Sequence, residues 1–567
     1  MNILYRRWLR SESLEPDLRK ELLSMTLSEI ESAFHGYLNF GTAGIRGIMG
    51  AGTNRMNIYT VRRITEGLAR SLYQHGESIK EKGIVIAYDS RHSSFRFAAE
   101  AAGLLACRGF QVHLFPSIRP TPLLSFAIRH LQAAGGIMVT ASHNPSEYNG
   151  CKLYNEDGAQ LTPMEAREIT RHLEDIEDEL SLPVWSLEKG KEQGFIQAVD
   201  PEVDESYTEQ VLSLSFKGNS ADNHRLRIIY TPFHGAGQPF VPSSLERLGF
   251  TQVWTVPEQS RPDPDFSTVD SPNPESKKAF NLAIQLGEQR EADLIIGTDP
   301  DVDRLGLLAR NQKGKFIRIN GNQIGVLLLQ YLLEHRSKEG LLPSNGVILK
   351  SVVTTDLAQE IAAAYQIRTE NTLTGFKYIA EKIKEYDTTD RATFLFGFEE
   401  SYGYLVGDFV RDKDAIQTAV LCCEMTAFYL KQNLTLPDVL NQLYRRFGVY
   451  EEDVYACSFR GQSGLEEARR LMDRLRCQPP GKIGSLPVTQ VEDYQTGIGE
   501  LPSSNMLKFH LAGGSWLAIR PSGTEPIIKF YVSIRSSKKR KTRSQFKQAK
   551  RWIKSLQKKG ISITKVE

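Results

Sequence analysis

The stretch DLIIGTDPDVDR, residues 293–304, joins an apolar run to an acidic loop. The run LIIG is typical of a buried β-strand, and Asp299, Asp301 and Asp303 alternate directly after it. Carboxylates so close together repel one another unless a cation compensates them, and oxygen ligands without His or Cys favour Mg²⁺ over zinc. The pattern predicts a divalent-metal site at the end of a strand, with a solvated acidic turn as the alternative.

Two other loops with unusual side chains follow apolar runs in the same way: TASHNP follows GGIMV, and GFEESYG follows TFLF. Each of the three loops ends a segment in which short apolar runs alternate with amphipathic ones, residues 83–140, 225–298 and 346–398. This alternation is typical of βαβ units and indicates a threefold internal repeat. Ligands of open α/β sheets lie beyond the carboxyl ends of the strands, so we expect the three loops to face one cleft.

The C-terminal segment has a different pattern, with the strand-like runs ACSFR, MLKFHLA, SWLAIR and IIKFYVSI and two helices. It predicts a smaller α+β domain. For the whole chain of 567 residues we predict the α/β class: three similar α/β domains with mixed sheets around a central cleft, followed by a C-terminal α+β domain. The predicted domains are residues 1–218, 219–320, 321–448 and 449–567.

Composition and charge exclude several classes of protein. Seventy Lys and Arg against sixty-eight Asp and Glu give a net charge of +2, which predicts no nucleic-acid partner and no membrane partner. The six cysteines form no CxxC pair, and the N-terminus lacks the apolar core of a signal peptide, so we expect a cytoplasmic protein. The most apolar stretch, residues 324–333, is too short to cross a bilayer and predicts a buried helix.

The basic segment 538–559 contains eleven Lys or Arg and no acidic residue. A nucleic-acid patch is one interpretation. Apolar residues recur in it at helical spacing, which favours a helix with an apolar seam and a solvated basic face. The seam residues are Phe546, Ala549, Ile553 and Leu556.

Three further groups of side chains are suited to chemistry or binding. Ser142 lies between an apolar run and a turn that contains His143, with Lys152 ten positions on, although a plain Asn-Pro turn would look the same. RPSGTEP, residues 520–526, combines a guanidinium, two hydroxyls and a glycine that could surround a phosphate, or form an ordinary turn. Glu399 and Ser401 offer an acceptor and a donor to sugar hydroxyls. The chain has no GxSxG elbow and no GxxxxGK[ST] loop.

Taken together, TASHNP, DPDVDR, GFEESYG and RPSGTEP resemble, in the same order, the active-site loops of the α-D-phosphohexomutase superfamily. The proline-rich insert at residues 261–275 also resembles the segment that precedes the metal loop in this family. The resemblance implies that Ser142 is the phosphoserine. It further implies that Asp299, Asp301 and Asp303 hold Mg²⁺ together with a phosphoryl oxygen on Ser142.

The same resemblance implies roles for residues outside the metal loop. Arg46 and Arg304 belong to the active site, Thr374 lies on a substrate loop, and Glu399 and Ser401 bind sugar hydroxyls. The general base is left open between His143 and Lys152. The residues expected to bind the non-reacting phosphate are Lys413, Arg520, Ser522, Gly523 and Thr524.

The function that the resemblance implies is that of a phosphoglucomutase, an isomerase that interconverts glucose 1-phosphate and glucose 6-phosphate. Glucose 1,6-bisphosphate is the expected intermediate and priming cofactor, and small sugar phosphates are the expected partners. GFEESYGYLVGD is similar to the branch that includes phosphoglucomutases and phosphopentomutases. A phosphopentomutase or phosphomannomutase with the same mechanism is the alternative, and a sugar-phosphate phosphatase or a non-catalytic binding protein is a more remote one. The oligomeric state is left open.

Overall fold

The computed structural model describes residues 2–38, 44–216, 220–459, 464–522, 527–556 and 562–565, which form four β-sheets in sequence order. The first sheet has the strand order β1-β5-β4-β2-β3-β6. Its domain contains α1 (Ile3–Arg10), α2 (Pro16–Ser24), α3 (Leu27–Phe34), β1 (Ile45–Ile48), α4 (Ile58–Tyr73), α5 (Ile79–Lys82), β2 (Ile84–Tyr88), α6 (Ser94–Cys107), β3 (Val112–Leu114), α7 (Thr121–His130), β4 (Gly135–Val139), β5 (Tyr148–Asn155), α8 (Pro163–Glu174), α9 (Leu187–Glu192), β6 (Ile196–Ala198) and α10 (Glu202–Ser213).

The second sheet has the order β11-β10-β9-β7-β8. Its elements are β7 (Arg227–Thr231), α11 (Phe240–Arg247), β8 (Gln252–Thr255), α12 (Asn281–Gln289), β9 (Leu294–Thr298), β10 (Leu305–Arg310) and β11 (Phe316–Ile319). Three short 3₁₀ helices accompany them, Ser220–Arg225, Pro257–Gln259 and Lys278–Phe280.

The third sheet has the order β13-β12-β14-β15. Its domain contains α13 (Gly321–Lys338), β12 (Gly346–Ser351), α14 (Leu357–Ala364), β13 (Arg368–Thr372), α15 (Phe376–Thr389), β14 (Thr393–Glu399), β15 (Gly403–Leu405), α16 (Ala415–Lys431) and α17 (Leu436–Phe447). The apolar stretch 324–333 lies in the buried helix α13, as predicted. Within the described residues, no helix has both the length and the apolar character needed to cross a membrane.

The fourth sheet is antiparallel, with the order β17-β18-β19-β20-β21-β16-β22. Its elements are β16 (Val449–Ser458), α18 (Gly464–Cys477), β17 (Lys482–Ile483), β18 (Leu486–Asp493), the 3₁₀ helix Tyr494–Thr496, β19 (Leu507–Leu511), β20 (Ser515–Pro521), β21 (Ile527–Ser536), α19 (Lys539–Ser555) and β22 (Ser562–Lys565). Helix α19 buries Ala549 and Ile553 and exposes most of its basic side chains, so the predicted apolar seam is confirmed.

The first three sheets repeat one arrangement of four strands. In each, the first strand of the repeat (β2, β7 or β12) lies between two parallel neighbours, and a fourth strand (β5, β10 or β15) returns antiparallel to the third. Each chemically unusual loop connects the third strand to this returning strand. The threefold repeat is confirmed, and its loops are hairpin turns at equivalent places.

The three hairpin turns also share a backbone conformation. Each contains one non-glycine residue with a positive φ, Ser142 at 53°, Val302 at 61° and Tyr402 at 66°. This left-handed conformation costs an L-residue about 1–2 kcal/mol. Such strain persists only where the surrounding structure holds it, and it is often found at functional sites.

Packing joins the first three domains more closely than the fourth. One apolar core contains side chains from all three of them, such as Phe126, Tyr230 and Phe398. The C-terminal domain has its own core and meets the third domain through a small cluster that includes Val352 and Trp516. The predicted fold class agrees with this architecture, whereas the domain bounds at residues 218, 320 and 448 stay a prediction.

Candidate active site

Ser142 lies in the hairpin turn between β4 and β5, and its side chain meets the acidic loop of the second domain. Its Oγ donates a hydrogen bond of 2.7 Å to Asp299 Oδ2 and lies 3.1 Å from His143 Nδ1. The residue is only 1% exposed. Loops of two domains therefore meet at a serine–aspartate contact, which agrees with the expectation of one shared cleft.

A buried pair of charges holds Ser142 in its left-handed conformation. Arg91 donates to the carbonyl oxygen of Ser142 over 2.6 Å and to that of Pro145 over 2.7 Å. Asp89 lies 3.3 Å from Arg91 and accepts a hydrogen bond of 2.6 Å from Thr140, the residue that follows β4. Burial raises the pKa of Asp89 and lowers that of Arg91, and each charge counters the effect of burial on the other.

Sequence analysis missed Asp89 and Arg91. They follow β2 directly, and β2 is the neighbour of β4 in the sheet. The position after a parallel strand was a signal that could have identified them.

The three aspartates after β9 converge on one buried point. Each offers a carboxylate oxygen that lies within 4.8 Å of the other two. Asp299 Oδ1 accepts the backbone N–H groups of Asp303 and Arg304 over 3.1 and 2.9 Å. In the part of the chain that the structure describes, Asp301 Oδ1 and Asp303 Oδ1 are buried without a hydrogen-bond partner. Buried oxygen acceptors that lack donors are the ligands that a hard divalent cation requires, so the cluster fits Mg²⁺.

Two buried lysines partly neutralise this cluster through its other oxygens. Lys152 on β5 donates to Asp301 Oδ2 over 2.6 Å and to Asp303 Oδ2 over 2.7 Å. Lys413 lies 3.2 Å from Asp303 Oδ2 and 3.1 Å from Asp412 Oδ1. Because the lysines bind Oδ2 atoms, the Oδ1 atoms of Asp301 and Asp303 have no hydrogen bond among the described residues, and the nearest cation to that of Asp303 is Arg304 Nε at 3.8 Å.

The pKa values of Asp299 and Asp303 are shifted in opposite directions by their surroundings. Burial, together with the charges of Asp301 and Asp303, raises the pKa of Asp299 well above its usual range. Burial alone would also raise the pKa of Asp303, but Lys152 and Lys413 lower it well below the usual range. The two lysines therefore favour the charged form of Asp303, whereas burial and the two neighbouring aspartates disfavour the charged form of Asp299, beside Ser142.

The candidates for the general base differ in charge. Burial and the positive charges of Arg304 and Arg46 lower the pKa of His143 well below its usual value, so its imidazole is neutral at pH 7. Burial alone would lower the pKa of Lys152, but Asp301 and Asp303 raise it, so this side chain stays protonated. A neutral imidazole can accept a proton, whereas an ammonium cannot.

Two arginines predicted from the sequence line the same region. Arg46 on β1 donates to Asn144 Oδ1 over 3.0 Å, and Arg304 donates to Glu275 Oε1 over 2.7 Å. The Nε of Arg304 is buried without a hydrogen-bond partner among the described residues. Arg46 is thus attached to the serine loop, whereas Arg304, which ends the metal loop, is attached to the proline-rich insert.

The sugar-loop residues lie at the end of β14. Glu399 Oε1 accepts the backbone N–H of Gly375 over 2.7 Å, which brings the predicted substrate loop beside it. The hydroxyl of Thr374 on that loop is buried without a partner among the described residues. Burial and the neighbouring charge of Glu400 raise the pKa of Glu399 to about 7. Ser401 follows in the same turn and is partly exposed.

The predicted phosphate loop lies partly within the described structure. Arg520 is at the end of β20 opposite Lys529 on β21, and the N–H of Ser522 donates to the carbonyl oxygen of Ile527 over 2.7 Å. Gly523 and Thr524 lie outside the described residues. Burial lowers the pKa of Lys529, as do the charges of Arg304 and Arg520. Sequence analysis missed Lys529, a cation that also acts on His143.

Lys413 was predicted among the phosphate-binding residues, but the structure places it at the metal loop. The resemblance implies a contact with the non-reacting phosphate, beside Arg520. In the structure its ammonium lies next to Asp303 at the metal loop. Its role in substrate binding stays a prediction.

Sequence models of one family match all four regions of the chain. They are described as phosphoglucomutase/phosphomannomutase α/β/α domain I (residues 38–180), domain II (205–314), domain III (320–447) and C-terminal domain (474–545). The chain belongs to this phosphoglucomutase/phosphomannomutase family. The predicted superfamily, fold class and enzyme class are thereby confirmed.

Relatives within the family carry a more specific name. A phosphoglucomutase of Staphylococcus haemolyticus is 39% identical over 522 residues, which cover 90% of this chain and 93% of that one. A phosphoglucomutase of Staphylococcus aureus is 38% identical over 521 residues, covering 90% and 92%. These matches favour phosphoglucomutase over the alternative activities.

Three solved structures share the fold. Pp63/parafusin of Paramecium, a phosphoglucomutase in its open form, has a TM-score of 0.68 at 18% identity and covers 93% of this chain and 97% of that one. A phosphoglucomutase/phosphomannomutase family protein of Burkholderia thailandensis has a TM-score of 0.67 at 18% identity, covering 92% and 98%. An N-acetylphosphoglucosamine mutase of Aspergillus fumigatus, in complex with GlcNAc-6P and magnesium, has a TM-score of 0.50 at 12% identity, covering 98% and 99%.

Proposed function

We propose that this protein is a phosphoglucomutase that interconverts glucose 1-phosphate and glucose 6-phosphate, with Ser142 as the phosphoryl carrier and glucose 1,6-bisphosphate as the intermediate. The observation that carries the proposal is the contact of Ser142 Oγ with Asp299, at the edge of a buried cluster of three aspartates. It occurs in a chain that phosphoglucomutases match over about nine tenths of its length.

The proposed route divides the isomerisation between two phosphoryl transfers. The phosphoserine gives its phosphoryl group to the free hydroxyl of the sugar phosphate, which forms the bisphosphate and returns the Ser142 hydroxyl. The bisphosphate then gives its other phosphoryl group back to Ser142 Oγ. Such a covalent carrier replaces one difficult step by two easier ones, and most of the catalysis comes from positioning and charge neutralisation.

Mg²⁺ is the proposed metal, and Asp299, Asp301 and Asp303 with the phosphoryl group on Ser142 are its proposed ligands. The fit rests on the two buried Oδ1 atoms without hydrogen-bond partners among the described residues. When bound, Mg²⁺ supplies charge neutralisation to the transferring phosphoryl group. Lys152 and Lys413 neutralise part of the aspartate charge through different oxygens, so they and the metal do not compete for the same atoms.

His143 is the proposed proton acceptor. Its neutral ring lies 3.1 Å from Ser142 Oγ, close enough to accept the hydroxyl proton when the O–H turns from Asp299 to the ring. Lys152 is proposed to act as a fixed positive charge. We propose that Arg46 and Arg304 bind the phosphoryl group, and that Thr374, Glu399 and Ser401 bind the sugar.

The far end of the substrate requires a second anion site. We propose that Arg520, Ser522, Gly523 and Thr524 bind the non-reacting phosphate. Lys529 adds positive charge beside Arg520. The substrate partners are then small sugar phosphates. A cytoplasmic location is proposed as well, since all six cysteines are free thiols.

A substrate assay tests this function. With Mg²⁺ and a trace of glucose 1,6-bisphosphate, we expect kcat/KM to be highest for glucose 1-phosphate among glucose, mannose and ribose 1-phosphates. A higher value for ribose 1-phosphate would make the protein a phosphopentomutase. Release of inorganic phosphate with free glucose would indicate a phosphatase, and no turnover of any substrate would contradict the enzyme itself.

Activity is also expected to depend on the ionisation of Glu399. This carboxyl takes up a proton as pH falls through about 7, and it then loses the anionic acceptor that a sugar hydroxyl needs. We expect kcat/KM to fall between about pH 8 and about pH 6. In Glu399→Gln the fall in kcat/KM near pH 7 should be absent. At the higher pH, kcat/KM of this variant should be roughly 10-fold to 100-fold lower than that of the wild type.

Glu400→Gln provides the matched comparison for this pH profile. The charge of Glu400 is one cause of the raised pKa of Glu399. Removal of that charge should therefore shift the fall in kcat/KM toward lower pH. The substrate phosphate titrates near pH 6 in every variant, so the profiles are compared as differences from the wild type. Identical profiles in all three proteins would exclude the assigned role of Glu399.

A further inference from the structure

Residues 261–275, which we call the strap, form an irregular segment between β8 and α12. Ordered irregular segments of this length inside a compact domain are uncommon and are usually functional. The strap is fixed by apolar side chains along its length, since Phe266 is 1% exposed and Pro272 and Pro274 are buried. Of the strap residues, only Glu275 belongs to the candidate active site described above, where it accepts a hydrogen bond from Arg304.

The strap begins on an anchor in the second domain. Both ring nitrogens of His234 are engaged with it, Nδ1 at 3.1 Å from the carbonyl oxygen of Arg261 and Nε2 at 2.8 Å from Thr268 Oγ1. His234 is 2% exposed and has a left-handed φ of 64°. The anchor thus holds the strap to a turn with a strained backbone.

The same turn supports the metal loop. The N–H of Ala236 donates to the carbonyl oxygen of Pro300 over 2.9 Å. A Cβ on Gly235 would lie 2.3 Å from the Cα of Pro300, so only glycine permits this approach. Pro300 lies between the first two aspartates. One turn therefore supports both the metal loop and the start of the strap.

From this anchor the strap reaches across to the first domain. Ser271 Oγ donates a hydrogen bond of 2.7 Å to the carbonyl oxygen of His143. The ring of Phe266 lies 4.9 Å from the guanidinium of Arg91, the group that binds the carbonyl oxygen of Ser142. The strap then returns to the metal loop, where Glu275 accepts from Arg304 over 2.7 Å.

These contacts bind the Ser142–His143 dipeptide from two different domains. The carbonyl oxygen of Ser142 is bound by Arg91 from its own domain, and that of His143 is bound by Ser271 from the second domain. The strap is also attached to the metal loop at Pro300, through His234 and its turn, and at Arg304. It is therefore placed to set the distance between Ser142 and the aspartates.

We propose that the strap is a positioning element for phosphoryl transfer and that Ser271 is its positioning residue, which aligns His143 and Ser142 with the metal loop. This inference rests on the proposed function, because it assigns Ser271 a part in the same transfer. Ser271 makes no bond in the reaction. It acts through the His143 backbone, and displacement of reacting groups by about 1 Å can cost on the order of 100-fold in rate.

Ser271→Ala tests the inference. We expect kcat for glucose 1-phosphate to fall about 10-fold while KM changes less than about 2-fold, because the lost hydrogen bond goes to the serine loop and not to the sugar loop. Rapid-quench measurement of transfer from the phosphorylated protein to glucose 1-phosphate should show the same fall. Ser271→Thr keeps the hydroxyl and should restore the rate.

Ser267→Ala is the matched control in the same segment. Its hydroxyl is exposed and bonds to Asp263 within the strap over 2.6 Å, so kcat should equal that of the wild type. Unfolding temperatures separate positioning from stability, and we expect the same value for all three variants. The inference is overturned if Ser271→Ala transfers at the wild-type rate, or if its loss is shared by Ser271→Thr or accompanied by a lower unfolding temperature. Failure of the proposed function would instead leave the wild type without mutase turnover.

Discussion

Ser142→Ala is expected to lose mutase turnover by at least about 10⁴-fold. The substitution removes the oxygen that carries the phosphoryl group, and no intermediate can form without it. The side chain is small and its backbone is held by Arg91, so the fold should persist. Coupled turnover of glucose 1-phosphate measures the loss, and intact-protein mass after incubation with glucose 1,6-bisphosphate should show no added phosphoryl group.

The control for this variant is Ser146→Ala, an identical change four residues along the same turn. It should retain turnover and take up one phosphoryl group. The unfolding temperature of Ser142→Ala should stay near that of the wild type, because one hydrogen bond to Asp299 is worth about 1 kcal/mol. Wild-type turnover in Ser142→Ala would exclude the phosphoserine mechanism, since no step of it can proceed without the carrier oxygen.

Much of the fold could be predicted because three of its four sheets share one pattern. Runs such as GIVIAY and LIIG are apolar throughout, as expected of parallel strands covered on both faces, and their order along the chain gives the repeat. The returning strands were not predicted. β5 reads YNGCKLYN, and its polar residues Asn149 and Lys152 are buried. The first bonds to Ser94 and the second to Asp301 and Asp303, and periodicity cannot reveal such partners.

The candidate site was predictable where an unusual loop follows a strand, as at Asp299 or Glu399. Residues that contact the site from other parts of the chain could not be predicted, and Asp412 illustrates the reason. Its carboxylate accepts from Tyr154 over 2.7 Å and from Gln160 over 2.6 Å, and it lies 3.1 Å from the Lys413 ammonium. In the sequence it is one aspartate in a charged run. Only tertiary contacts distinguish a buried acceptor from a solvated one.

The strap shows the same limit in another form. Its sequence is rich in proline and aspartate, which is typical of an exposed loop. The contacts that give it a role in our inference are a single hydroxyl and a single ring, Ser271 and Phe266, on residues of the second domain that meet the first. Contacts between domains depend on the packing of whole sheets, and no local pattern encodes them.

Asp301→Asn is expected to lower kcat on the order of 100-fold and to weaken Mg²⁺ binding by roughly 10-fold to 100-fold. The carboxylate contributes a buried Oδ1 without a partner among the described residues, while its Oδ2 accepts from Lys152 and from Thr121. An amide removes one negative charge from the cluster and directs N–H groups at the metal or at the lysine. Either orientation is repulsive, so the metal site loses affinity as well as charge.

Metal titration of activity and calorimetric titration with Mg²⁺ measure the two effects separately, and the second does not depend on turnover. Asp293→Asn is the matched control, because Asp293 lies just before the other end of β9 and bonds to Arg227. In Asp301→Asn, Asp303 is the only one of these two aspartates that still offers Lys152 a negative charge. Loss of one charge from this buried network is therefore also expected to lower the unfolding temperature. An Asp301→Asn protein whose calorimetric Mg²⁺ affinity equals that of Asp293→Asn would show that the aspartate cluster is not the metal site, because loss of a carboxylate ligand cannot leave the affinity for a hard cation unchanged.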